Sequence, residues 1–269
     1  MTAALVNGRE AESLPLFDRG LQFGDGLFET LAVVDGRPAL WERHLRRLQK
    51  GCRQLGLTMP DPHDLWQEAQ RLLQGRSTAI LKIILTRGCS ERGYAFDPDL
   101  PPNRILACFP WSGPTARPLP ARHCRQRLGE QPGYAGLKHL NRLEQVLARR
   151  ECPQGEGLMQ DTHGALVSGI ASNLFLVFDG RLHTPIIDRC GVAGVVRESI
   201  LELAHQRRQP VVVRRIAVDE LEEAEGLFFT SSLLGVVPID TLDGRPWAAR
   251  ITHHPLLAEA ARRAFTQDG

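Results

Sequence analysis

Ser172-Asn173-Leu174-Phe175, a turn at Asp179-Gly180, Leu182-His183-Thr184-Pro185, then Gly191-Val192-Ala193-Gly194-Val195-Val196-Arg197 is the stretch on which the fold turns. It reads as a strand, a two-residue hairpin turn, a second strand and a glycine-rich entry into a helix. Val196, Ile200 and Leu203 give that helix one apolar face. A glycine turn into a helix N-terminus offers unpaired N–H groups and a favourable dipole to an anion. Upstream lies Gly136-Leu137-Lys138-His139-Leu140-Asn141-Arg142-Leu143-Glu144-Gln145. Leu140, Leu143 and Leu147 are expected to form a buried stripe beside Lys138. A partly desolvated lysine loses proton affinity and can serve as an amine nucleophile.

Outward from these blocks, turn dipeptides punctuate the chain. Asn7-Gly8, Asp35-Gly36, Asp179-Gly180 and Asp243-Gly244 each separate apolar or alternating runs, and each predicts a hairpin. Trp41, Leu45, Leu48, Cys52 and Leu55 recur at helical spacing, a pattern that puts Arg47 with Arg43, Arg46 and Lys50 on the solvent side. Further helices are expected over 65–73, 140–150, 194–207 and 255–265. Strands are expected over 80–85, 105–109, 157–160, 165–178, 211–218 and 226–230. The four prolines of 110–120 exclude helix and central strand there. The fold class is therefore α+β, or mixed α/β, in two domains. A smaller N-terminal α/β domain spans 1–111, a linker 112–120, and a larger C-terminal domain carrying Lys138 spans 121–269.

Bulk properties narrow the function. The 269 residues hold 33 basic and 31 acidic side chains, and a net charge of +2 does not suit nucleic-acid binding. Cys52, Cys89, Cys108, Cys124, Cys152 and Cys190 are spaced irregularly, as in reduced proteins. The first ten residues reach charge too early for a secretory core, and no run nears the roughly 18 apolar residues of a membrane span. The expectation is a cytoplasmic protein with no membrane partner. His253-His254 has no ligand at metal spacing, so no metal is expected. Phosphate-loop and Gly-x-Ser-x-Gly signatures are missing.

The order of Lys138, Asn173 and the 191–197 turn resembles the fold-type IV family of pyridoxal-phosphate enzymes, over nearly the whole chain. That family includes branched-chain and D-amino acid transaminases and the aminodeoxychorismate lyases. The resemblance implies a homodimer that binds pyridoxal 5′-phosphate at the domain interface, with Lys138 as its Schiff-base lysine. It implies phosphate contacts from Val195 and Val196 and from Ser231 and Ser232 after the strand Gly226-Leu-Phe-Phe. Arg47 matches the phosphate arginine of a His-x-x-Arg-Leu segment, against its solvent-side position on the helical wheel; a guanidinium fork suits phosphate oxygens. Asn173 keeps its place in the family pattern, but the glutamate five residues before it is Ser168 here. In relatives that glutamate pairs with the pyridine nitrogen and strengthens the ring as an electron sink.

The Lys-His-Leu-Asn-Arg-Leu-Glu-Gln block is most similar to the lyase branch, which converts the small molecule 4-amino-4-deoxychorismate to 4-aminobenzoate and pyruvate. Transaminases commonly have tyrosine where this chain has Arg142. Arg92-Gly93-Tyr94 resembles a substrate-side loop of that branch, so Arg92, Tyr94 and Arg142 are candidate substrate residues. Gln22-Phe23-Gly24-Asp25-Gly26 recurs near the active sites of relatives, and tight-turn geometry explains it equally well. An aminotransferase of the same fold and a catalytically retired cofactor-binding protein are the alternatives.

Overall fold

A computed structural model describes residues 3–114, 117–247 and 253–266. Two compact units emerge: Met1–Gly113 with Leu137–Asn141 and Phe265–Gly269, and Pro114–Gly136 with Arg142–Ala264.

The first unit contains β1 (Ala3–Val6), β2 (Arg9–Glu10), α1 (Arg19–Phe23), β3 (Gly26–Val34), β4 (Arg37–Pro38), α2 (Trp41–Leu55), α3 (Pro62–Leu73), β5 (Ala79–Thr86) and β6 (Asn103–Phe109). Its strands form one antiparallel sheet in the order β2-β1-β6-β5-β3-β4. Alternation along β3 sends Leu27, Leu31 and Val33 into a core shared with Leu45, Leu48 and Cys52 of α2 and Leu65 and Leu72 of α3. Gly51 lets α2 close on that sheet, since a Cβ there would lie 2.7 Å from Leu27 Cδ1.

The second unit contains β7 (Leu119–Leu128), α4 (Leu143–Glu151), β8 (Glu156–Asp161), β9 (Ala165–Gly169), β10 (Asn173–Phe178), β11 (Arg181–Pro185), α5 (Val195–Gln206), β12 (Val212–Arg214), β13 (Ile216–Ala217), β14 (Gly226–Ser231), β15 (Gly235–Leu242), β16 (Arg245–Pro246) and α6 (Pro255–Arg263). The sheet order is β12-β11-β10-β14-β15-β7-β8-β9-β13, with β16 on β15. Leu158, Leu174, Leu176, Phe229 and Val237 lie in its core.

All four Asn/Asp-Gly pairs are hairpin turns with both residues at positive φ, from 47° to 79°. The helices expected at 41–55, 194–207 and 255–265 are present to within two residues. Other expectations fail for tertiary reasons. Leu119 and Pro120, assigned to the linker, already belong to β7, where Leu119 is opposite Ile239. The single strand expected over 165–178 breaks at Ile170–Ser172, where the chain passes from pairing with β8 to pairing with β14 and the Glu156 carboxylate accepts the Ile170 N–H (3.0 Å) and the Ser172 hydroxyl (3.2 Å). The strand over 211–218 splits into β12 and β13, which pair with β11 and β9.

The largest correction concerns Lys138. Expected in the C-terminal domain, its segment groups with the first unit. Phe28 N–H donates to Lys138 C=O (2.9 Å), Leu140 N–H donates to Gly26 C=O (3.0 Å), and Leu137 is buried in that unit's core. With those groups engaged, the helix starts at Leu143 rather than Leu140. The expected stripe is also absent: Leu143 is 69% exposed and Leu147 is only half-buried.

Candidate active site

In the first unit, the half-buried Lys138 extends its Nζ to 4.4 Å from the centre of the Phe28 ring. Its position follows from pairing: Leu27 faces His139 across an antiparallel bridge, so Leu137 turns into the core and Lys138 to the opposite face, with Phe28. Asn141 closes the segment by donating to Gly24 C=O (3.1 Å). Gly24 has φ +65°, and a Cβ there would lie 2.6 Å from Asn141 Oδ1, so the Gly24-Asp25-Gly26 turn requires its glycine.

Arg47 is not on the solvent face. Its side chain is only 10% exposed, and Nε donates to Glu29 Oε1 (2.8 Å) while Nη2 donates to Oε2. His44 Nδ1 lies 2.6 Å from the same Oε2. Burial pushes the Glu29 carboxyl up, yet the Arg47 charge and hydrogen bonds, joined by His44, overcome this and hold it at about 2. Burial keeps the His44 imidazole below its ordinary pKa against the pull of Glu29, so it is neutral, donates through Nδ1 and leaves a buried Nε2 without a partner. Periodicity along α2 carries no trace of Glu29, which lies 18 residues upstream on β3. The His44-x-x-Arg47 spacing, one helical turn, was the only signal for the triad. Arg46, by contrast, is exposed.

Arg92 and Tyr94 sit on an exposed loop folded around the buried guanidinium of Arg19. Arg19 Nη1 donates to Ser90 Oγ (2.9 Å) and Gly93 C=O (3.1 Å), Nη2 to Tyr94 C=O (3.1 Å), and Nε to Asp25 (2.9 Å). Asp25 also accepts from Arg87, whose guanidinium lies 3.9 Å from the Phe96 ring centre. With its carbonyls turned inward, the loop leaves Tyr94 84% exposed, its ring 5.4 Å from Phe23. The Gln22–Gly26 turn thus has a definite job, since Asp25 joins both arginines.

In the second unit, Asn173 Nδ2 donates to Val192 C=O (2.9 Å) and holds the turn that leads into α5. A Cβ on Gly194 would lie 2.0 Å from Asn173 Oδ1, so only glycine fits. Gly194 caps α5 without a side-chain hydrogen bond, and the first-turn N–H groups of Val195 and Val196 have no intrahelical partner. Thr230 pairs with Asn173 across the sheet, and its buried Oγ1 has no hydrogen-bond partner. Ser231 Oγ accepts the Leu234 N–H (3.2 Å), and both Ser231 and Ser232 are half-buried. Ser168 is buried on β9 opposite Met159. Arg142 precedes α4, and burial lowers its pKa to about 10. Arg197 is buried against neutral oxygens, Thr184 Oγ1 (3.3 Å) and Pro185 C=O (3.0 Å).

Residues 26–242 match the profile of Amino-transferase class IV. The chain belongs to that family. A class IV relative from Vibrio harveyi, an aminodeoxychorismate lyase, is 32% identical over 243 residues, 87% of this chain and 89% of its own. A 4-amino-4-deoxychorismate lyase structure from Pseudomonas aeruginosa superposes with a TM-score of 0.84 at 43% identity, covering 97% of both chains. A D-alanine aminotransferase from Listeria monocytogenes is 27% identical over 253 residues, 88% of this chain and 84% of its own. The fold is that of the fold-type IV enzymes, in α+β form.

Proposed function

We propose that this class IV protein is a pyridoxal-phosphate-dependent lyase that converts 4-amino-4-deoxychorismate to 4-aminobenzoate and pyruvate, a step towards folate. The observation that carries the reading is the half-buried Lys138 amine beside Phe28, in a block similar to the lyase branch. The lyase from Pseudomonas aeruginosa, alike over nearly its whole length, supports it.

The residues fit a phosphorylated cofactor. In the second unit an uncapped glycine-led helix start and the orphaned Thr230 hydroxyl suit an anion. On the resemblance, Lys138, Arg47, Ser168, Asn173, Val195, Val196, Ser231 and Ser232 would hold the cofactor. When bound, pyridoxal phosphate supplies a carbonyl for the amine and a ring that accepts electron density. Lys138, once free, takes the proton from the amine-bearing carbon of the substrate. The electron pair left there becomes a ring double bond as the neighbouring C–O bond breaks; the side chain departs as the enolate of pyruvate, which takes up a proton, and the ring is aromatic.

The protein is assigned to the cytoplasm, on its six free cysteines and on the resemblance. Among the described residues no helix is long and apolar enough to cross a membrane. It is also assigned as a homodimer, on the resemblance and on the exposed apolar side chains of Leu16 (73%), Phe17 (62%) and Leu21 (66%).

Feeding purified protein 4-amino-4-deoxychorismate tests the reaction. Pyruvate and 4-aminobenzoate in equal amounts are expected. Silence on that substrate, with turnover of an amino acid and 2-oxoglutarate, selects the aminotransferase; silence on both selects the retired cofactor-binding protein.

A further inference from the structure

Lys82 is a second amine near the Phe28 ring, its Nζ 5.4 Å from the ring centre, against 4.4 Å for Lys138. The two nitrogens are therefore no further apart than the sum of those distances. Register explains why both face the same side. Thr30, Lys82 and Ala107 are directly opposite one another across β3, β5 and β6, and Phe28, Ile84 and Ile105 form the next row. These rows share the sheet face opposite the one that packs on α2 and α3. Glu29, the carboxylate of β3, points to the other face, where Arg47 and His44 use it. No carboxylate among the described residues lies within ion-pair reach of Lys82, whose contact is the Phe28 ring. It is a half-buried cation on an apolar strand face with no counter-ion beside it.

A cation held this way is matched by an anion that arrives with the ligand. We infer that Lys82 binds the ring carboxylate of the substrate. The inference rests on the lyase reading, because a cyclohexadiene that becomes 4-aminobenzoate carries its amine and its ring carboxylate at opposite ends. With the amine at the Lys138 end of the site, the carboxylate is directed to the other cation near the Phe28 ring. A carboxylate anchored there fixes the rotation of the substrate ring about its amine. It also selects cyclic amino acids with a distal carboxylate over ordinary α-amino acids.

The test uses the cofactor-loaded protein and 4-aminobenzoate, which retains the ring carboxylate. Calorimetric Kd values are compared for wild type, Lys82→Gln, Lys82→Met and Lys82→Arg. Removing the charge should weaken binding about tenfold or more, whereas Lys82→Arg should stay within about threefold of wild type. KM for 4-amino-4-deoxychorismate should rise in parallel while kcat changes little. Wild-type affinity should also fall as salt is added. Unchanged Kd and KM in folded Lys82→Gln and Lys82→Met overturn the inference. If neither variant folds, a salt-independent wild-type Kd overturns it. If the wild type binds 4-aminobenzoate but releases no pyruvate from the substrate, the lyase reading fails, and the Kd comparison decides Lys82 by itself.

Discussion

Arg47 and Ser168 are single residues whose chemistry departs from what their neighbours in sequence suggest. Arg47 lies on the polar side of a helical wheel, yet Glu29 draws it inward and fixes its fork. An arginine so oriented presents one geometry to an anion and loses little freedom on binding. Arg47→Ala should therefore weaken cofactor affinity by one to two decades, about 1.5–3 kcal/mol, while Arg46→Ala leaves it nearly unchanged. Equal cofactor Kd values for the two variants would remove Arg47 from the phosphate site. Ser168 stands where the resemblance places a glutamate, and a hydroxyl offers no charge to hold a pyridinium. The cofactor ring should then be a weaker electron sink, which suits an elimination driven by aromatisation better than transamination. Ser168→Glu should accelerate the slow side reaction with an amino acid several-fold, read as loss of the near-visible band with release of the 2-oxo acid. An unchanged decay in a folded, loaded variant would mean that Ser168 does not set reaction choice.

Among elements, the pairing of β3 with α2 makes a pH-dependent joint. The Glu29 carboxyl falls from an ordinary 4.5 to about 2 in the folded protein, so it releases its proton more readily folded than unfolded. Its contribution is present above the unfolded value and is lost as pH falls from about 4.5 through about 2. The full contribution is about 3 kcal/mol. Glu29→Gln should be less stable than wild type at pH 7, and the gap in denaturation midpoint should close across that acid window. A gap that persists at pH 2 would place the effect in packing rather than charge. Much at this scale was legible in the sequence. Four Asn/Asp-Gly turns carry their own φ requirement, and the 41–55 and 194–207 helices declare themselves by period. The break at Ile170–Ser172 was hidden because the groups that meet it, the Glu156 carboxylate and strands β8 and β14, lie elsewhere in the sequence. Leu143 misled because apolar spacing does not reveal whether a face is covered; here it stays 69% exposed.

For the whole molecule, the chain does not divide once. It leaves the first unit after Gly113, returns for Leu137–Asn141, and belongs to the second from Arg142 to Ala264. Five residues carrying Lys138 thus join a sheet built by the first hundred, through backbone hydrogen bonds that no local pattern encodes. The proposed homodimer predicts that light scattering returns about twice the 29.9 kDa chain mass, and a monomer at micromolar concentration would contradict it. The most direct test of the account is where the cofactor is bound. Cofactor-loaded protein, reduced with borohydride and digested, should carry the pyridoxyl label on the peptide containing Lys138. Lys138→Ala should lose both the label and pyruvate release. Label on Lys82 or any other lysine, or a Lys138→Ala protein that still makes 4-aminobenzoate, would contradict the assignment.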